Sequence, residues 1–295
     1  MKEIAAWPVI GHQRILALLE LLLNQSKLLN HAFLFYGPRH LGKNLVLEEF
    51  LKRLLVLETK TLVWSQPDVH CLQRLPEKTE IGIEQVRNWQ KELSLKPFNA
   101  PYKIGVIQEA ENLNQESGNA LLKILEEPSG STLIFLLAHD WAKVLPTIAS
   151  RLQTIAFQPV ATKIIIDGLL SRGASTAQAQ SLGVACCWRP GLAVNWLNQP
   201  ELYAEDQKKI AFYQRVINSP VTERSALSLS IKEVEASQLN IELSYLERVL
   251  MTLIAEGLVS RQRLVKIVEH WRLAKQFVKQ NVSPQFILEY LIMSL

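Results

Sequence analysis

Gly37-Pro-Arg-His-Leu-Gly42-Lys43-Asn44 decides the fold, because it is a phosphate-binding loop in all but its last position. The complete motif, G-x-x-x-x-G-K-[ST], surrounds phosphates with backbone N–H groups, extends its lysine to them and binds Mg²⁺ through its hydroxyl. Gly37, Gly42 and Lys43 are kept, and Asn44 replaces the hydroxyl residue. The longer side chain of Asn44 holds its oxygen in the wrong place for an octahedral Mg²⁺ site. The sequence therefore predicts the architecture of an ATPase with weakened ATPase chemistry.

The residues that flank the loop support this interpretation. Before it, residues 32–36 form a short apolar run typical of a buried parallel strand. After it, apolar residues recur at helical spacing across residues 45–55. Strand, glycine loop and helix thus follow in the order that a phosphate-binding loop requires. The alternative is that the two glycines and Pro38 build an ordinary turn.

The composition is that of a globular protein. The 295 residues are 48% hydrophobic and 20% charged with a net charge of +4, and this length allows two or three domains. The mild basicity is compatible with a nucleic acid nearby but does not establish one. No apolar run approaches the ~20 residues of a membrane span, and no signal pattern begins the chain. We therefore expect a cytoplasmic protein without a membrane partner.

The cysteine and histidine patterns indicate neither a disulfide framework nor a metal site. Cys71, Cys186 and Cys187 form no C-x-x-C pair, and the six histidines form no H-E-x-x-H motif. We expect incidental thiols and no bound metal.

The chain divides by its hydrophobic pattern into an α/β part and a helical part. Apolar runs at 104–107 and 133–137 predict two more central strands, with a helix over 114–126 between them. The alternation predicts a parallel sheet covered by helices on both faces. After about residue 160 the pattern is helical, with predicted helices over 163–170, 176–186, 192–197, 206–217, 243–255, 261–280 and 284–295. We expect an α/β phosphate-loop domain (1–160), a small helical lid (161–200) and an all-α domain (201–295).

Two blocks carry a specific resemblance. They are Asn119-Ala-Leu-Leu-Lys-Ile-Leu-Glu-Glu-Pro128 and Leu145-Pro-Thr-Ile-Ala-Ser-Arg-Leu-Gln153, and shorter pieces agree at 9–12, 31–35, 66–68 and 81–87. Together they resemble the signatures of bacterial clamp-loader subunits of the AAA+ class. The match covers residues 7 to about 160 closely and the helical remainder by layout. Within that family the chain is most similar to a subunit whose nucleotide site is often degenerate.

The resemblance implies a role for Arg151. In clamp loaders the arginine of the Ser-Arg-Cys motif reaches into the ATP site of the neighbouring subunit and stabilises charge on the γ-phosphate. Here Ser150 and Arg151 are kept, and Leu152 replaces the cysteine. The guanidinium supplies the chemistry, so the function does not need the cysteine. The alternative is a surface arginine in a salt bridge.

The chain departs from the family pattern at its own nucleotide site. Gln108 replaces the aspartate that would hold Mg²⁺, while Glu109 remains and could act on water. The alternative is that Glu109 and Glu111 form a strand end in solvent. Gly191 stands where the lid's ATP-sensing arginine is expected, and His40 stands where related loops usually have glycine. The family's zinc-binding cysteine insert is absent, so we expect no zinc.

The resemblance implies a non-hydrolysing scaffold in a hetero-pentamer with gamma/tau-type and delta-type subunits. The C-terminal helices would join a collar, and the sliding clamp and primed DNA would be reached through the complex. Weak binding of ATP or ADP is left open. One alternative is an active ATPase subunit of the gamma/tau type, favoured by Lys43 and Glu109, although we expect no long extension beyond Leu295. Another is a stand-alone DNA-binding protein, which would have a concentrated basic stripe rather than dispersed lysines and arginines.

Overall fold

The computed structural model describes residues 7–24, 30–58, 60–128, 130–229, 231, 234, 236–255, 257–280 and 282–294. The chain forms two compact units, Met1–Val194 and Asn195–Leu295. The first six residues of the predicted α/β domain, and Leu295 at the predicted end of the last helix, lie outside the described residues. The finer division at residues 160 and 200 stays a prediction.

A five-stranded parallel sheet forms the centre of the first unit, in the order β2-β3-β4-β1-β5. The strands are β1 (Ala32–Tyr36), β2 (Val69–Leu72), β3 (Lys103–Ile107), β4 (Thr132–Ala138) and β5 (Gln153–Ala156). The three predicted strands are therefore confirmed as β1, β3 and β4. These three are almost fully buried, as expected for the central strands of a sheet with both faces covered.

Helices cover both faces of this sheet. Along β1, the side chains of Phe33 and Phe35 join one apolar core, and that of Leu34 joins the other, because successive side chains in a strand alternate between faces. The covering helices are α1 (Gln13–Leu23) and α2 (Lys43–Leu54) in the first core, and α3 (Ile83–Ser94), α4 (Gln115–Glu126) and α5 (Pro146–Ala149) in the second. They are followed in the chain by α6 (Thr162–Leu170), α7 (Thr176–Ala185) and α8 (Pro190–Asn198). The predicted α/β architecture is thus confirmed.

A buried carboxylate fixes the loop between α3 and β3. Asp68 is 2% exposed and accepts hydrogen bonds of 2.6–2.9 Å from the backbone N–H groups of residues 98–100. The ammonium of Lys103, also buried, lies 3.3 Å from the same carboxylate. Burial alone would raise the pKa of Asp68, but these N–H groups and Lys103 lower it to about 2. The buried Asp68 carboxylate, whose hydrogen bonds and charge are satisfied, therefore holds this loop in place.

The described part of the second unit consists of helices. They are α9 (Pro200–Asn218), α10 (Val221–Leu229), α11 (Ala236–Ala255), α12 (Arg261–Lys279) and α13 (Pro284–Ser294), around one apolar core. Arg224, 8% exposed, donates hydrogen bonds to the carbonyl oxygens of Ile217, Ser219 and Ile292. The guanidinium thus joins the carboxyl-terminal ends of α9 and α13. Within the described ranges, no helix is long and apolar enough to cross a membrane.

Candidate functional site

The predicted loop lies between β1 and α2, at the carboxyl edge of the sheet where α/β proteins bind ligands. Gly37 has φ 140°, and a Cβ added there would lie 2.3 Å from the carbonyl oxygen of Phe157. Gly42 has φ 86° and immediately precedes α2. Both positions require glycine for backbone reasons, whether or not a phosphate binds.

Lys43, the first residue of α2, is 4% exposed. Its Nζ donates hydrogen bonds to the loop's own carbonyl oxygens, 2.6 Å to Gly37 and 2.8 Å to Pro38. Burial lowers the pKa of Lys43 to about 8, against the opposing charge of Glu111. The lysine of the motif is therefore turned toward the loop itself.

Gly191, the position at which the family pattern has an ATP-sensing arginine, lies directly against the loop. The backbone N–H of Gly191, in the first turn of α8, donates a 2.8 Å hydrogen bond to the carbonyl oxygen of His40. A Cβ at Gly191 would lie 2.7 Å from that oxygen, so no side chain fits there without a backbone shift. His40 has φ 63°, the left-handed conformation that glycine adopts at least cost. On the other side of the loop, His12 Nε2 lies 2.8 Å from the carbonyl oxygen of Leu41.

The acidic residue that follows β3, Glu109, is paired with two arginines. Glu109 Oε1 lies 2.7 Å from Arg39 Nη2 of the loop, and its Oε2 lies 3.5 Å from Arg74 Nε. Burial raises the pKa of the Cys71 thiol on the edge strand β2, and the side chain of Gln108 opposes this shift. The structure therefore brings Glu109 to the loop and places Gln108 near Cys71.

This donor set does not fit Mg²⁺. A Mg²⁺ site needs hard, anionic oxygen ligands in a near-ideal octahedron. Asn44 and Gln108 are neutral, and the Glu109 carboxylate is already neutralised by two guanidinium groups. Among the described residues, no three His, Cys, Asp or Glu side chains are grouped as a metal site.

Two further residues lie near the loop: Glu111, which was considered together with Glu109, and His139, which sequence reasoning missed. Glu111 accepts a 3.1 Å hydrogen bond from the backbone N–H of His139, which follows β4. Burial, together with the positive charges of Lys43, Arg39 and His40, lowers the pKa of His139 to about 3. The imidazole is therefore neutral at pH 7. The sequence signal for His139 was its position directly after a buried apolar run. The carboxyl ends of parallel strands meet at one edge of the sheet, where ligands bind.

Arg151 lies at the opposite edge of the sheet. It lies two positions before β5, whose first residue Gln153 is paired in register with Phe33 near the start of β1. Asn30, just before β1, donates a 2.6 Å hydrogen bond to the Gln153 side chain. Because the strands are parallel, Arg151 is at the amino edge and the loop is at the carboxyl edge.

The guanidinium of Arg151 is held by two helix ends. Its Nε and Nη2 each lie 2.6 Å from Oε1 of Glu126, the last residue of α4. Its Nη1 donates a 2.9 Å hydrogen bond to the carbonyl oxygen of Thr147 in α5 and a longer one, 3.4 Å, to Ser150 Oγ. The side chain is 37% exposed. Arg151 is thus in a surface salt bridge and still accessible.

A shallow groove extends from Ser150 along this flank of the first unit. Its walls are formed by Trp141, Ala142, Val144, Pro146, Ala149 and Ser150. The Trp141 ring packs against Tyr36 at 4.6 Å between centroids and remains 44% exposed. The groove therefore offers an apolar surface that ends beside Arg151.

Comparison with known families gives a match over half of the chain. The family model described as "DNA polymerase III, delta subunit" matches residues 11–161. The chain is 31% identical to DNA polymerase III subunit delta' of Bacillus subtilis, over 52% of this chain and 50% of that protein. It is 33% identical to subunit delta' of Haemophilus influenzae, over 62% and 55%. The chain thus spans about half the length of these curated relatives.

Solved structures share the fold at low sequence identity. A gamma subunit-related protein of DNA polymerase III from Thermotoga maritima matches with a TM-score of 0.51 and 17% identity, over 94% of this chain and 97% of that one. The Holliday junction branch migration motor RuvB of Thermotoga maritima matches with a TM-score of 0.55 and 14% identity, over 85% and 90%. These matches agree with the predicted AAA+ architecture.

Proposed function

The chain belongs to the DNA polymerase III delta-subunit family and is delta-prime-like, and from this we propose that it is a non-hydrolysing subunit of a clamp loader. In this role it holds a neighbouring ATPase subunit of the gamma/tau type and presents Arg151 to that subunit's nucleotide. The complex then loads the sliding clamp on primed DNA.

The pairing of Glu109 with Arg39 carries the proposal that this subunit does not hydrolyse ATP. A carboxylate that activates water needs a free lone pair directed at that water. Glu109 instead accepts from the loop's own Arg39 at 2.7 Å, with Arg74 near its second oxygen. The close contact between Gly191 and His40 adds a second obstacle, because it leaves no room for a lid arginine. Lys43 remains at the start of α2, so weak binding of ATP or ADP is still compatible with the site.

The position of Arg151 supports an action in trans. Its own loop is at the other edge of the sheet, so this guanidinium is not directed at the chain's own phosphate site. An exposed arginine at such an edge suits a phosphate carried by another molecule. The division into an α/β domain (1–160), a lid (161–200) and a collar domain (201–295), and assembly with gamma/tau-type and delta-type subunits into a hetero-pentamer, belong to the same proposal.

Two measurements test this function. The isolated chain should show no appreciable Mg²⁺-dependent ATP turnover, and turnover comparable to that of an intact family ATPase would contradict the scaffold role. In a complex reconstituted with the other subunits, Arg151→Ala should lower ATPase and clamp-loading rates while assembly survives. Arg14→Ala, at an exposed arginine of α1, is the matched control.

The second candidate is an active ATPase subunit of the gamma/tau type. It is favoured by the buried Lys43 and by the 28% identity with DNA polymerase III subunit tau of Bacillus subtilis over 54% of this chain and 30% of that protein. The turnover assay on the isolated chain separates the two candidates.

A further inference from the structure

Glu126 and Arg151 are separated by 24 intervening residues in the chain. In the structure, one carboxylate oxygen of Glu126 contacts two nitrogens on the same side of the Arg151 guanidinium. Nε and Nη2 share Glu126 Oε1 at 2.6 Å each. This side-on contact, together with the Nη1 bond to Thr147, fixes the plane of the guanidinium and not only its position.

We propose that Glu126 is the positioning residue for Arg151, which sets the direction in which the guanidinium faces a phosphate on the neighbouring subunit. This inference rests on the proposed action of Arg151 in trans. Glu126 does not touch the neighbour's phosphate in this proposal; it acts through the arginine.

The donors of Arg151 leave room for such a contact. A guanidinium has five N–H groups. Nε–H and one hydrogen of Nη2 are directed to Glu126, and Nη1 donates to Thr147 and Ser150. Within the described ranges the second hydrogen of Nη2 has no acceptor and is available to one on another molecule. The Glu126 contact therefore sets the direction in which this donor is presented.

The backbone at Glu126 is held in place by its neighbours. Glu126 is the last residue of α4, and the preceding residue, Leu125, is buried. The carbonyl oxygen of Leu125 lies 2.8 Å from Nε2 of His31, which directly precedes β1. The end of α4 is thus tied to the start of the central strand, and a site on rigid elements holds its geometry better than one on loops.

The energetics favour a role in orientation over a role in stability. The Arg151 and Glu126 side chains are 37% and 50% exposed. Ion pairs in such solvent contact contribute little to folding. A free arginine, however, loses rotamer entropy when it meets a phosphate. Loss of Glu126 should therefore leave the fold intact and lower the fraction of productive Arg151 orientations.

The test is a double-mutant cycle in the reconstituted complex, with ATPase kcat and KM as readouts. Glu126→Ala is expected to lower kcat about tenfold with little change in KM, since only transition-state positioning is lost. Glu126→Gln, which keeps an acceptor oxygen, should recover part of that loss. Adding Glu126→Ala to Arg151→Ala should produce no further decrease.

Glu127→Ala is the matched control. Glu127 is also exposed and is the next residue in the chain, so the substitution removes the same charge one position away from Glu126. Its kcat should equal that of the wild type. Normal activity of Glu126→Ala beside an impaired Arg151→Ala would overturn the positioning role alone. Additive losses in the double variant would also overturn it. Normal activity of Arg151→Ala would instead remove the proposed trans function, and the positioning role with it.

Discussion

The backbone N–H of Gly191 donates to the carbonyl oxygen of His40 at 2.8 Å, and this bond joins the first turn of α8 to the phosphate-loop segment. The first N–H groups of a helix have no partner within the helix and must find one elsewhere. Here the loop supplies that partner, so the two backbones approach too closely for any side chain at residue 191.

Gly191→Ala should therefore destabilise the first unit. The added Cβ would meet a backbone oxygen at 2.7 Å, which must move for the methyl group to fit. We expect the free energy of unfolding to decrease by roughly 1–3 kcal/mol, measured by urea denaturation. Gly82→Ala is the control, because a Cβ there has open space, and its loss should stay below about 1 kcal/mol. Equal losses in both variants would contradict the close contact.

Repair of the two most evident departures from the motif should not create an ATPase. The variant Asn44→Thr with Gln108→Asp restores the hydroxyl and the acidic residue, but Glu109 stays paired with Arg39. We expect Mg²⁺-dependent turnover of the isolated chain to remain within about twofold of the wild-type background. Sustained multiple turnover by this variant would show that the ion pair does not block the site.

Asp68→Asn should be strongly destabilising at neutral pH. The substitution leaves the ammonium of Lys103 buried beside a neutral amide, and it disturbs three backbone N–H donors. Breaking a buried pair of this kind decreases the free energy of unfolding by about 3 kcal/mol. Asp167→Asn, at an exposed carboxylate of α6, should change it by less than about 0.5 kcal/mol.

The same carboxylate predicts a pH dependence. The pKa of Asp68 is lowered from 3.8 to about 2 in the folded chain. Its stabilisation is therefore complete above pH 3.8 and is lost as the pH falls through 2. The stability difference between wild type and Asp68→Asn should shrink across this range, as measured by urea denaturation at a series of pH values. A difference that stays constant down to pH 2 would contradict the assignment.

His139 should make the fold sensitive to mild acid. Its pKa is lowered from 6.5 to about 3 by burial and by Lys43, Arg39 and His40. The unfolded chain then binds a proton between these pH values that the folded chain does not, so stability falls as the pH drops below 6.5. His139→Asn should reduce this slope by roughly 1 kcal/mol per pH unit. Parallel stability curves for the two proteins would rule the effect out.

Arg224→Met should weaken the second unit. It removes donors from three carbonyl oxygens, those of Ile217, Ser219 and Ile292, while keeping the apolar part of the side chain. Buried acceptors left without partners lower the free energy of unfolding by about 2–4 kcal/mol in sum. Thermal unfolding followed by circular dichroism measures this, with Arg272→Met on the exposed side of α12 as the control. Coincident melting curves would contradict the proposed role of Arg224.

Much of the first unit could be predicted from the sequence. The central strands read as continuous apolar runs because both of their faces are buried, and the phosphate loop has fixed glycine positions. The edge strands were missed for the opposite reason. Val69–Leu72 and Gln153–Ala156 are short and only partly buried, so neither shows a clear pattern. Helix Val221–Leu229 was missed as well, since it is short and has only modest periodicity.

The sequence named candidate residues for the site but not their pairing. Gly37 and Lys43 come from the phosphate-loop motif and Arg151 from the family resemblance, and their roles stay predictions. The partners of Glu109 and Arg151 depend on how distant segments meet, and an arginine 70 residues from its carboxylate leaves no local signal. The same holds for the contact between Gly191 and His40, which exists only through the docking of α8 on the loop.

The exposed ring of Trp141 gives the chain an optical reporter. Of its seven tryptophans, the other six are buried or only partly exposed, so iodide in solution should quench the emission of Trp141 first. A partner that covers the groove ending at Ser150 would shield this ring. Docking on the flank that carries Arg151 could therefore be followed as a fall in the quenching constant, without any nucleotide, label or catalytic turnover.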